Sequence, residues 1–125
     1  MNISRNFMMI AVLYLLTGMA MGMYMGGSQD HTLMPVHAHI NLLGFTLMTL
    51  FAIVYKLFPA MAESALAKAH FWLHQVGTLL LLVALFLMIG GFVAEATIGP
   101  TMPVFEITVF IGTVCLAVNV YKNAM

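Results

Sequence analysis

Four stretches of the chain, 7–26, 34–58, 65–93 and 102–121, run through mostly apolar residues with few charges among them. A helix crossing a hydrocarbon layer ~30 Å thick needs about 20 such residues. Four spans joined by short connections therefore account for the whole of residues 1–125, read as one all-α transmembrane domain with no room for a second. Composition agrees. Apolar residues make up 63% of the chain and charged residues 6%, with a mean hydropathy of +1.06, and no water-soluble surface can be assembled from that mixture. A soluble enzyme domain is excluded. The expected fold is a polytopic four-helix bundle in the lipid bilayer. Pro59 closes the second span, and the fourth follows the Gly99-Pro100 break with Pro103 in its first turn, where proline is tolerated. A cleaved signal peptide is the alternative for the first stretch, but the run is longer than a signal core.

Orientation follows from the few charges. Arg5 precedes the first span, Lys56 and Lys68 flank the second connection, and Lys122 follows the fourth span, so all four basic residues fall on one side. By the positive-inside rule that side is cytoplasmic, with both termini, and Asp30, His31 and Glu95 lie outside.

Several residue types point to packing. The lone Cys115 lies within a span and has no disulfide partner. Met19, Met21, Met23 and Met25 alternate, and residues two apart on a helix face nearly opposite ways, so they form no joint thioether site. Gly18, Gly22 and Gly26 make a ridge bare of side chains that admits a close neighbour, in the same chain or another.

Histidine carries the chemistry, because ionisable groups inside a membrane are costly and mark function by default. His37 and His39 lie near the outer end of the second span, and His70 and His74 near the inner end of the third. Residues two apart on a helix are about 200° apart in azimuth, so one metal cannot take both His37 and His39 from one helix. That pair suits a helix standing between two cofactors; hydrogen bonding of both rings to backbone or water is the competing reading. His70 and His74 share a face and are able to act jointly on one ion or ligand. Their place beside Trp72 and Lys68 favours instead a role as interfacial anchors. Glu106 is expected to be buried at the depth of His37 and His39, either tuning a liganding imidazole or capping a neighbouring helix. His31 is expected to be solvated.

From His37 the chain reads HAHINLLGFTLMTLFAIVYKLFP, and the next span opens AHFWLHQVG. These two runs resemble the tenth and eleventh helices of the central subunit of heme-copper oxidases and nitric oxide reductases. The match lies at the His-x-His pair, Gly44, Phe45, Phe51, Tyr55, Leu57 and Pro59, then at His70, Phe71, Trp72, Leu73 and Gly77. In that family the paired histidines ligate the irons of two different hemes, so the resemblance implies heme b held by His37 and His39. The match at His70 speaks for fold, and His74 has no counterpart. The family's subunit has twelve helices in three groups of four, whereas this chain has one group. It supplies no separate copper-ligating histidines and no cross-linked tyrosine.

Three copies would rebuild twelve helices. The resemblance thus implies a homotrimer in which each heme takes one histidine from each of two protomers, placed in the bacterial inner (cytoplasmic) membrane toward its outer face. The expected work is electron transfer, with quinol or another respiratory donor as partner and no nucleic acid. The alternatives are a minimal oxygen or nitric oxide reductase that adds copper or another non-heme metal, a module that binds or senses a diatomic gas, and a purely structural membrane protein.

Overall fold

The computed structural model covers residues 1–125 and is helical almost throughout. Four helices are long and apolar enough to cross a membrane: α1 (Ile3–Ser28), α2 (Met34–Leu57), α3 (Ala65–Ile89) and α4 (Met102–Asn123). Hydrocarbon offers no partner to a backbone N–H or C=O, so a spanning segment must satisfy its own, and a helix does so residue by residue. This overrides the modest helix propensity of the many β-branched residues. The third expected span ends early, at Ile89, where Gly90 and the left-handed Gly91 (φ 77°) turn the chain. The approach to α4 is wound as a short helix, Glu95–Ile98, and a 3-10 turn, Gly99–Thr101.

Side chains define the ends. Asn2 caps α1 by accepting from the Arg5 N–H at 2.9 Å. Ser64 caps α3 through the Ala67 N–H at 3.2 Å. Pro59 stops α2 and at once starts a one-turn helix, Pro59–Glu63, which carries the chain to α3. Between α1 and α2, Gln29 takes a left-handed φ of 60°. Asp30 then accepts from the Thr32 hydroxyl at 2.6 Å and from its N–H at 3.0 Å. These two bonds hold the Asp30 carboxyl below its ordinary range.

The helices associate as two pairs. α1 lies along α2 and α3 along α4, and Gly77 and Gly112 let the second pair approach closely. Two hydrogen bonds fasten one end of the bundle: the Ser4 hydroxyl donates to Ala52 O at 2.8 Å, and the buried Asn119 amide donates to Met61 O at 3.1 Å. Arg5, Lys56, Lys68 and Lys122 belong to this same end, where the helix termini meet. The main core is here too, built on Phe7, Met48, Phe51, Tyr55, Met61 and Phe71. The opposite end holds only a small cluster of Val36, Ile40 and Leu82. α4 presents Val104, Ile107, Phe110 and Val114 outward, each 44% exposed or more, as a surface facing lipid does.

The middle of α2 departs from the α form. Ile40–Thr46 is wound as a π-helix, with the Leu47 N–H bonded five residues back to Leu42 O. Where bonds of that span revert to the ordinary four-residue span, one carbonyl is passed over. Leu43 O is the next after the last such bond, and the His74 ring donates to it from Nε2 at 3.0 Å. α3 thus supplies from a side chain what the backbone of α2 leaves open.

Candidate functional site

Because α2 begins at Met34, His37 and His39 sit within two turns of its start, before the π-segment. The His37 ring lies in against α1, with Nδ1 2.8 Å from Gly18 O. A carbonyl only accepts, so Nδ1 carries the hydrogen and Nε2 the lone pair. That lone pair accepts from the Asn41 amide at 3.3 Å. Glycine makes the room. A Cβ at position 22 would stand 3.0 Å from His37 Cε1, and one at position 18 would run into the Asn41 carboxamide. A Cβ at position 26 would meet nothing within 4 Å. Two glycines of the ridge therefore receive α2 of the same chain.

His39 points elsewhere. It is exposed, and its Nδ1–H donates to Pro35 O at 2.7 Å. Its Nε2 is left as a lone pair with no partner in the chain. The opposed faces expected for the pair are present, one ring half-buried against α1 and the other on the bundle's surface. Each is fixed in one tautomer by a backbone carbonyl.

His70 and His74 correct the expectation of interfacial anchors. Both are completely enclosed, whereas Trp72 between them is 58% exposed. The face they share points into the core, not along the membrane surface. The Phe51 ring centre lies 4.5 Å from that of His70 and 5.1 Å from that of His74, with Phe7 at 5.3 Å and 6.2 Å. His70 Nδ1 is 2.9 Å from the Tyr55 hydroxyl, and His74 Nε2 holds Leu43 O.

Glu106 lies within the fourth span with its side chain on the outside of α4, and it makes no hydrogen bond to His37 or His39. His31 is exposed in the turn as expected, and its Nδ1 lies 3.3 Å from Gln29 O. Met25 is buried while Met19 and Met23 are exposed, so the alternating methionines do face different ways. No three His, Cys, Asp or Glu side chains gather as a metal cluster.

Sequence reasoning passed over Asn41, Asn119 and the π-winding. The two asparagines carried a signal, since amides inside apolar spans seek partners. No family model, curated protein or solved structure matches the chain.

Proposed function

We propose that this chain is a small membrane cytochrome that binds b-type heme through His37 and His39, as a homotrimer, and that its work is electron transfer. The observation that carries the reading is the state of the two rings. Each donates its Nδ1–H to a backbone carbonyl, Gly18 O or Pro35 O, and keeps its lone pair on Nε2. A metal-ligating imidazole is oriented in this way, since the second-shell bond fixes the tautomer and raises the basicity of the other nitrogen. His39 fits a heme iron as it stands. His37 fits once its Nε2 gives up the 3.3 Å bond from Asn41.

Opposed faces mean that one chain cannot bring both rings to one iron, and a neighbouring copy supplies the second ring. Heme supplies a one-electron couple and, with two imidazole ligands, has no open position for substrate. The chain's own part is to hold the rings at a fixed angle and to exclude water. With the basic end cytoplasmic, the histidine pair lies toward the outer face of a bacterial inner membrane, within reach of quinol or a respiratory donor.

The test is the oxidised and dithionite-reduced absorption spectrum of the detergent-purified chain, with a pyridine extract to count heme. A sharp low-spin b-type spectrum near one heme per chain, abolished by His37→Ala and by His39→Ala separately, is the expected result. A preparation that takes up no heme on reconstitution refutes the reading. A second reading, a gas-binding heme held by His39 alone, is favoured by the Asn41 amide lying over His37 Nε2. It predicts a high-spin spectrum that shifts with carbon monoxide and ignores His37→Ala.

A further inference from the structure

His70 and His74, one turn apart on α3, are wholly enclosed, yet each keeps one ring nitrogen without a hydrogen-bond partner: Nε2 of His70 and Nδ1 of His74. A buried polar atom left unpaired costs about 1–3 kcal/mol. Two of them lie on adjacent turns of one helix face, in a core closed by the rings of Phe7, Phe51 and Tyr55.

The remaining nitrogens are both held by oxygens. His74 donates Nε2–H to Leu43 O, and His70 Nδ1 is bonded to the Tyr55 hydroxyl, which accepts when that nitrogen carries the proton. An imidazole whose second nitrogen is tied to an oxygen, and whose first is free, is poised to ligate a metal. The ring centres are 5.9 Å apart. Two imidazoles that shared one ion, with each nitrogen at about 2 Å, would have centres roughly 6 Å apart.

The donor set selects the ion. With no third His, Cys, Asp or Glu at hand, tetrahedral zinc and four-coordinate copper(II) or nickel(II) lack ligands, and oxygen-seeking cations lack carboxylates. Copper(I) is satisfied by two imidazoles in line. Its single charge is also the least costly to bury.

We propose that His70 and His74 form a two-coordinate site for one copper(I) ion inside the bundle, with Tyr55 and Leu43 O as the oxygens that orient the two rings. The site is separate from His37 and His39 and stands whether or not those bind heme.

The experiment is anaerobic titration of the detergent-purified full chain with copper(I) buffered by bicinchoninate, followed by copper X-ray absorption. One copper(I) per chain with two imidazole scatterers is expected, in the native chain and in the His37→Ala/His39→Ala double variant alike. His70→Phe and His74→Phe keep the ring volume and should lose the ion, and Tyr55→Phe should weaken binding about 10–100-fold. The native chain's absorption spectrum decides without any variant, should the variants fail to fold. No copper above background, or copper without imidazole ligation, overturns the proposal and leaves a buried water bridging the two nitrogens. Heme content of the chains that keep His37 and His39 is the same in either case.

Discussion

Gly22→Val should detach His37 from α1, and the effect can be worked from the packing. A Cβ at position 22 would lie 3.0 Å from His37 Cε1, 3.6 Å from Nδ1 and 3.7 Å from Nε2. The first distance is about 0.5–1 Å short of ordinary carbon–carbon contact. The ring cannot retreat freely, because its Nδ1–H is tied to Gly18 O at 2.8 Å. A shift of that size stretches the bond beyond useful length and forfeits about 0.5–1.5 kcal/mol. Valine adds two methyl groups beyond Cβ, so the ring must leave its seat, and the lost packing brings the total to about 2–3 kcal/mol.

The control is Gly26→Val on the same helix, where a Cβ would meet nothing within 4 Å, so helix propensity cancels between the two variants. Reversible unfolding in mixed detergent micelles, followed by circular dichroism against the mole fraction of denaturing detergent, gives the two free energies. A Gly22→Val chain as stable as Gly26→Val would refute the seating of His37 between the glycines.

Other consequences are open to simpler tests. Asn41→Ala removes the amide over His37 Nε2 and should raise the rate of heme uptake, measured by stopped-flow absorbance, while leaving the Gly18 bond in place. Asn119→Leu deprives Met61 O and the Asn123 amide of their partner and should cost about 1–3 kcal/mol in the same unfolding assay, with proteolysis of the Pro59–Glu63 connection increasing. In the turn between α1 and α2, the Thr32 bonds lower the Asp30 carboxyl pKa from its ordinary 3.8. Their contribution is therefore complete above that value and is lost as pH falls through the lowered one. Exchange of the Thr32 amide should accelerate only at that acid extreme.

The number of spans was legible because lipid imposes a length and a hydropathy that few sequences reach by chance. Pro59 and Gly99-Pro100 marked breaks for covalent reasons that no environment changes. The opposed faces of His37 and His39 followed from helix geometry alone. What was not legible is which face of each helix turns inward. In water an apolar stripe answers that question, but in a membrane both faces are apolar, so the sequence does not show that His70 and His74 turn into the bundle while Glu106 turns out of it. Packing decides instead, through Phe7, Phe51 and Tyr55 around the histidines. The π-winding was hidden for a related reason, since hydropathy is blind to helical register.

The winding of Ile40–Thr46 sets the phase between the two halves of α2. Each α-helical residue turns the chain by about 100°, and a π-turn takes up roughly one residue more than an α-turn. The half that carries His37 and His39 is thereby clocked against the half that carries Phe51 and Tyr55. Removing a single residue within this stretch would act like slipping a gear by one tooth. The lower half, gripped by its aromatic neighbours and by the Ser4 bond to Ala52 O, would stay in mesh, while the upper half swung His37 off its glycines. The aim of His37 and His39 thus depends on a count of residues, and one insertion or deletion can redirect them without touching the lower core.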